Sequence, residues 1–324
     1  MKKGTVSVLV CCFNGMEVLP SCFDSLLDQT YKKLEIIFVD DGSTDGSYEF
    51  ALDNTDRFEA VGMSLVCLRQ KNQGVGYANA AGLLHANGEF ISNFDIDDYL
   101  YPESILKRVE FLDSHPDISV VRTNGYKINK DGHKRLFVNN PSEKAREDIF
   151  EDLLLGRTNN WTGSYLVRAN ALWRVYPDHL LPGSRFGQNL QILLAVAWGN
   201  KAGFIDKPLM EYRFNPGSIT NHTTDFASSF DRYIGFWQIR KDILSAMGID
   251  SPALCNKMAV VYGRILMDLC LAHNERLRFL SVYDSTASIE SPAPLYKYYY
   301  YLFSGKKAKA FLFRCLNFLQ NRFG

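Results

Sequence analysis

Short, almost wholly apolar runs recur through the first hundred residues. Val6 to Cys12, Leu34 to Val39, Ser64 to Arg69 and Phe90 to Phe94 each lack the alternation of a half-exposed strand. Such runs read as strands buried on both faces. Between them lie stretches of helical period. Leu19, Cys22, Phe23, Leu26 and Leu27 share one face behind Pro20, a helix from Val75 ends near Asn87-Gly88, and Pro102 opens a helix through Leu106, Val109 and Leu112. Strand and helix in alternation predict an α/β fold: a Rossmann-like, mostly parallel sheet flanked by helices.

Past Ile118 the pattern changes. Ile118 to Asn129 and His133 to Asn139, joined through Lys130-Asp131-Gly132, predict a hairpin, so the sheet is expected to be mixed. A helix over Ser142 to Leu155, a strand over Ser164 to Arg168, a helix over Gly187 to Trp198, and strands over Ala202 to Ile205 and Leu209 to Phe214 complete this half. From Asp225 onward the chain reads as helical, with Phe230, Tyr233, Ile234, Trp237 and Leu244 expected as one packing stripe. Three parts follow: a domain over 1–220, a helical extension over 221–290, and a tail over 291–324. The tail carries Lys297, Lys306, Lys307, Lys309, Arg314 and Arg322 and no acid, with Phe311, Leu312, Cys315, Phe318 and Leu319 on one helical side. Two readings fit it: an amphipathic segment at a membrane surface, or a terminal helix packed on its own domain.

Composition narrows the function. The 324 residues are 46% apolar, enough to bury about three quarters of the unfolded surface. Thirty-six basic and 36 acidic side chains cancel, which argues against a nucleic-acid binder that must neutralise many phosphates. The cysteines number seven, without a C-x-x-C pair, and read as reduced, buried residues of a cytoplasmic protein. Lys2 and Lys3 before an apolar run imitate a secretory signal, but no cleavage site follows, and the run reads as a buried strand. No stretch is long and apolar enough to span a bilayer.

In an open parallel sheet, ligands bind beyond the carboxyl ends of the strands. Here those ends are polar. Strand one leads into Phe13-Asn14-Gly15, strand two into Asp40-Asp41-Gly42, and strand four into Asp95-Ile96-Asp97-Asp98. Carboxylates gathered on one edge repel unless a cation or donors compensate them, and Mg2+ or Mn2+ with a diphosphate is the simplest compensation. For Asp40 and Asp41 the plain alternative is a helix cap and turn, but capping employs one acid and leaves the other unexplained. A dinucleotide-dependent dehydrogenase lacks support: Cys12-Phe13-Asn14-Gly15-Met16 is not G-x-G-x-x-G, and Gly74-Val75-Gly76 follows the wrong strand. A P-loop is absent as well, and so is the glycine-rich, basic signature of a sugar nucleotidyltransferase.

The motifs taken in order resemble the bacterial family 2 glycosyltransferases of GT-A fold. They are Val6-Ser7-Val8-Leu9-Val10 with Phe13-Asn14, then Val39-Asp40-Asp41-Gly42-Ser43-Thr44-Asp45-Gly46, then Asn93-Phe94-Asp95-Ile96-Asp97-Asp98, Gly187-Gln188-Asn189, and Tyr212 to Ile219. They cover about residues 4–220.

The resemblance implies transfer of a sugar from a nucleoside diphosphate sugar, most simply a UDP-sugar, to a hydroxyl of a glycan or lipid-linked acceptor with inversion. Cys12, Phe13, Asn14, Asp40, Asp41, Gly74 and Arg213 are then expected at the nucleotide sugar. Asp95 and Asp97 form the D-x-D pair, with Asp97 on the metal and Asp95 on the ribose or a metal-bound water. The family's base is usually the acid of a Glu-Asp pair, and the matching residues here are Gln188 and Asn189. An amide takes up no proton at neutral pH. Either these amides hold the acceptor while Asp98, Glu211 or His222 deprotonates it, or the acceptor needs no strong base, or the protein is a catalytically weak nucleotide-sugar binder. Membrane contact, if any, is peripheral and through the tail.

Overall fold

The structure, a computed structural model, describes residues 1–215, 225–306 and 309–310. Strands β1 (Lys2–Cys12), β2 (Leu34–Asp40), β3 (Ser64–Arg69) and β4 (Gly88–Asp95) run parallel in the order β3-β2-β1-β4. The apolar runs are strands because both faces are covered: every residue of β2 is buried. Helices α1 (Leu19–Leu27), α2 (Ser47–Asp53), α3 (Thr55–Glu59) and α4 (Val75–Leu83) make the crossovers. Phe23, Phe38 and Phe58 meet edge to face in the layer between α1, β2 and α3, a preferred aromatic geometry.

Beyond β4 come β5 (Tyr99–Leu100), α5 (Ser104–Ser114), β6 (Ile118–Ile128), β7 (Lys134–Leu136), α6 (Pro141–Lys144), α7 (Phe150–Leu154), β8 (Tyr165–Arg168), α8 (Ala169–Val175), α9 (Leu190–Ala197) and β9 (Lys201–Tyr212). The sheet continues from β4 through β8, β6 and β9 to β5, with β7 paired to the far end of β6. β8 is antiparallel to both β4 and β6, so the sheet is mixed.

Some expectations differ. The helix placed over Ser142 to Leu155 is two short ones, because 145–149 leave helical geometry between α6 and α7. The two late strands are one, β9, whose register against β6 shifts between Thr123 and Asn124 and again before Tyr126. Such irregularity hides a single strand inside two apolar runs. Helix α9 starts at Leu190, so Gln188 and Asn189 sit in the approach to it.

The described residues divide into two compact units, Met1–Ser218 with Asp242–Ile249, and Ile219–Lys241 with Asp250–Gly324. The second holds α11 (Pro252–Ala272), α12 (Arg276–Ala287), α13 (Pro294–Phe303) and most of α10 (Phe226–Ala246). Its core is Met267, Cys270, Phe279 and Tyr283. Along α10 the buried apolar residues are Ile239, Ile243 and Leu244, while Ile234 of the expected stripe is exposed. That helix carries apolar residues on several sides, so period alone does not choose its buried face. The six described cysteines are free thiols, with Cys255 exposed rather than buried. No described helix is long and apolar enough to cross a membrane. The apolar tail residues Phe311 to Leu319, with Arg314 and Arg322, lie outside the described residues.

At the edge opposite the strand ends that concern function, Glu35 ties the sheet together. Its carboxylate is buried and accepts hydrogen bonds from Ser7 Oγ at 2.8 Å and the Asn87 amide at 2.8 Å, with Lys2 Nζ at 3.3 Å. Burial pushes this carboxyl up, but the Asn87, Ser7 and Lys2 donors outweigh burial and hold it below the usual range. Its contribution is therefore full above the unfolded carboxylate pKa of about 4.3 and disappears as pH falls through the lower folded value. Glu35→Gln is expected to cost about 1–3 kcal/mol at neutral pH. The gap between variant and parent should close in denaturation curves taken below about pH 4; a gap independent of pH would contradict the assignment.

Candidate active site

The carboxyl ends of β2, β1 and β4 are neighbours. Cys12 is in register with Asp40 on one side of β1, and Cys11 with Asp95 on the other. Two strand spacings, about 10 Å, separate the two acidic ends, with the Cys11 thiol between them, pushed up by burial and then by Asp95 and Asp41.

On the β2 side the loops are built on each other. Asn14 adopts a left-handed conformation (φ 49°), which short amide side chains tolerate. It accepts from the Thr44 amide at 2.9 Å and donates its own backbone amide to Ser43 Oγ at 2.8 Å. Cys12 is buried, and its carbonyl accepts the Asp41 amide at 2.7 Å. Phe13 is left 51% exposed, so its ring is available to a ligand. Asp40 is fully buried, accepts the Ser43 amide at 3.1 Å and pairs with Arg69 Nε at 3.2 Å. Asp41 takes three donors from one loop: Gln70 Nε2 at 2.8 Å, the Gln73 amide at 3.0 Å and the Gly74 amide at 2.8 Å. In this structure both acids shape loops. The loop they hold ends at Gly74, whose φ of 103° excludes other residues without strain. Helix α4 then begins under the 183–188 segment. A Cβ on Gly76 would stand 2.6 Å from the carbonyl oxygens of Ser184 and Gly187, so this glycine lets the segment carrying Gln188 lie against the helix.

On the β4 side Asp95, Asp97 and Asp98 each present a carboxylate oxygen, all within 4.8 Å of one another. Gln188 Nε2 donates to Asp95 Oδ1 at 2.5 Å, and Thr162 Oγ1 donates to Asp95 Oδ2 at 2.6 Å. Thr162 in turn accepts from Asn189 Nδ2 at 3.3 Å, and Asn189 Oδ1 accepts from the Tyr165 hydroxyl at 3.1 Å. All of these donors point toward Asp95. The Asn189 amide also donates to the Asn160 carbonyl at 2.9 Å. Asp97 accepts from Asn215 Nδ2 at 3.1 Å, and Asp98 accepts the Arg213 backbone amide at 3.1 Å. Thr162 and Tyr165 have no recognisable signature as site residues in the sequence, since they reach the cluster only through the antiparallel β8, whereas Asn215, just past the end of β9, lies in the Tyr212 to Ile219 motif, which does not single it out.

The electrostatics are those of an under-compensated cluster. Burial, then the neighbouring Asp97, pushes Asp95 up to about 6 despite Thr162 and Gln188. Asp98 is raised well above the usual carboxylate range by burial and then by Asp95 and Asp97. Its Oδ2 is buried with no hydrogen-bond partner among the described residues. An all-oxygen set with an orphaned buried oxygen fits a hard divalent cation.

The remaining expected residues are placed as follows. Arg213 spends its guanidinium on Glu211 at 3.0 Å and lies 4.6 Å from the Tyr99 ring centroid. Glu211 is buried and receives Lys134 at 2.6 Å, Tyr101 at 2.7 Å and Arg213. Burial pushes Glu211 up, but these donors outweigh it and hold the carboxyl below its usual range. His222 and Ser218 lie outside the described residues.

The family model for glycosyl transferase family 2 matches residues 7–178, more than half of the 324. The chain belongs to glycosyltransferase family 2. This glycosyltransferase is 28% identical over 235 residues to GlyA of Streptococcus pneumoniae serotype 4, covering 68% of this chain but only 32% of that relative. It is 28% identical over 237 residues to GlyG of the same organism, covering 71% and 76% of the two chains. Its fold matches that of TarS from S. aureus in complex with UDP-GlcNAc, with a TM-score of 0.61 at 18% identity over 94% of this chain and 89% of the other. The mannosyltransferase PcManGT from Pyrobaculum calidifontis, in complex with GDP-Man and Mn2+, matches with a TM-score of 0.51 at 16% identity, covering 98% and 84%. The GT-A fold expected of this family 2 glycosyltransferase is the one it has.

Proposed function

We propose that this glycosyltransferase moves a hexosyl or hexosaminyl group from a UDP-sugar to a hydroxyl of a glycan or lipid-linked acceptor in surface polysaccharide synthesis, with inversion and with Mn2+ or Mg2+. The observation that carries the reading is the adjacency of the β2 and β4 ends across β1, which sets the Asp40-Asp41 loops and the three-carboxylate cluster about 10 Å apart on one edge of the sheet. The UDP-GlcNAc on TarS and the GDP-Man and Mn2+ on PcManGT support a nucleotide-sugar donor and a divalent cation.

Asp95 and Asp97 would hold the cation, whose charge stabilises a departing diphosphate without a general acid. Phe13 offers a ring face to the base. Asn14, Asp40, Asp41 and Gly74 set the loops around it, with Cys12 beneath them. Arg213 acts on Asp98 through its backbone amide, since its side chain is committed elsewhere. Gln188 and Thr162 fix both oxygens of Asp95, and Asn189 locks Thr162 in place. Neither amide removes a proton, and Glu211 is saturated by donors. Of the three candidate bases this leaves Asp98 and His222 for the acceptor's proton. The second reading, a donor binder that transfers little, is favoured by one fact: Asn189 stands where the family has its base and is fully engaged within the protein.

Thermal stabilisation by nucleoside diphosphate sugars, with and without Mn2+, tests the donor reading. UDP-sugars at about a hundred times Kd should add about 2.7 kcal/mol, and only with the metal; no shift with any donor would end the proposal. We assign residues 1–220 the catalytic role, 221–290 the helical extension, and 291–324 peripheral contact with the cytoplasmic membrane face. Vesicle flotation that is unchanged after deleting residues 291–324 would remove the last of these.

A further inference from the structure

Beside the carboxylate cluster one face of the sheet has a chemistry of its own. Lys127 on β6 lies directly opposite Arg135 on β7 and is in register with Tyr212 on β9. Residues paired across neighbouring strands share a face, so Arg135, Lys127 and Tyr212 form a row across three strands, about 10 Å from end to end. Lys127 Nζ is 5.7 Å from the Tyr212 ring centroid. Trp161 stacks on Tyr212 at 5.5 Å with 19° between the planes. The next step along the same face is Gly125 with Phe137, whose ring would be 2.6 Å from a Cβ on Gly125 and which packs edge-on to Trp161. The residue after Trp161 is Thr162, bonded to Asp95. The row therefore runs from two cations, across two aromatic rings, to the reacting edge.

Folding alone does not account for the cations. Like charges set directly opposite each other in a two-stranded ribbon are destabilising. Lys127 and Arg135 are both exposed, and neither meets a carboxylate among the described residues. The other face of the same ribbon is treated differently, since Lys134 is neutralised by Glu211 at 2.6 Å. An aromatic pair suits the apolar face of a sugar ring, and two cations on directly opposed positions suit a phosphate.

We propose that this face is the acceptor subsite and that it takes a saccharide bearing a phosphate ester or diphosphate. The ring lies along Trp161 and Tyr212, the phosphate between Lys127 and Arg135, and the hydroxyl toward Asp95. The proposal rests on the glycosyltransferase reading above and names its acceptor class.

The test uses the full chain with UDP and Mn2+ in excess, so that the donor site is filled, and N-acetylglucosamine 1-phosphate as the probe in calorimetric titration. The parent should bind the probe, and the double variant Lys127→Gln/Arg135→Gln should bind it on the order of tenfold more weakly, while UDP with Mn2+ raises the melting temperature of both equally. A lipid-linked sugar diphosphate in detergent micelles and a soluble polyol-phosphate oligomer, titrated the same way, tell which source of phosphate the face prefers. Equal probe affinity in parent and double variant, no binding to the parent, or binding that UDP abolishes would overturn the proposal. If UDP with Mn2+ fails to stabilise the parent, the donor reading falls by itself, and the two chains are compared with the probe alone.

Discussion

Asp97→Asn is expected to reduce sugar transfer on the order of a thousandfold or more and to remove the Mn2+-dependent part of nucleotide binding. The cluster has three carboxylates within 4.8 Å, and among the described residues only Asp97 combines partial exposure with a single neutral donor, Asn215. Asp95 has both oxygens engaged by Thr162 and Gln188. Asp98 is buried against the Arg213 amide. Loss of Lewis-acid stabilisation at a diphosphate leaving group removes several kcal/mol from the barrier reduction, which is the thousandfold expected here. Folding should survive, because one less negative charge relieves the repulsion that raises Asp95 and Asp98. Transfer assays and UDP thermal shifts with and without Mn2+ check both halves; full activity in the variant would remove Asp97 from the site.

Gln188→Glu should also be severe, although it restores the acid common in the family. The side-chain amide of Gln188 donates to Asp95 at 2.5 Å, and a carboxylate there replaces attraction with repulsion. Two acids this close do not both ionise at neutral pH. The lost donor to a charged group is worth about 1.5–3 kcal/mol, so activity should fall on the order of tenfold to a hundredfold, with weaker Mn2+-dependent nucleotide binding. Asn189→Asp meets the same obstacle, since a carboxylate oxygen would face the Asn160 carbonyl now 2.9 Å from the amide nitrogen. Transfer and donor hydrolysis measured side by side separate the readings. Higher transfer in Asn189→Asp than in the parent would favour the weak binder that lacks its base.

Much of this was legible in the sequence because the first four strands are local and apolar, and their polar ends fall at turns that glycine and aspartate mark. That route puts Asp40 and Asp41 at the end of β2 and Asp95 and Asp97 at the end of β4, where the structure has them. What escaped was contributed by long-range pairing. Thr162 reaches Asp95 only because β8 inserts between β4 and β6. The role of Asp41 in ordering the Gln70 to Gly74 loop depends on backbone amides, which leave no trace in side-chain identity. Gln188 was legible as a departure from the family, but not as a partner of Asp95, because the contact spans 93 residues. The register shifts that turn two apolar runs into one β9 likewise follow from pairing with β6 and not from the runs themselves.

The direction of β8 has an engineering consequence. Phe90, near the start of β4, pairs with Arg168 at the end of β8, so this strand delivers its beginning to the reactive rim. Changes in length between Gly156 and Gly163 are thus transmitted straight to Asp95, whereas insertions just past Arg168 fall on the remote rim. Diversification of this scaffold should tolerate the second and be punished at the first.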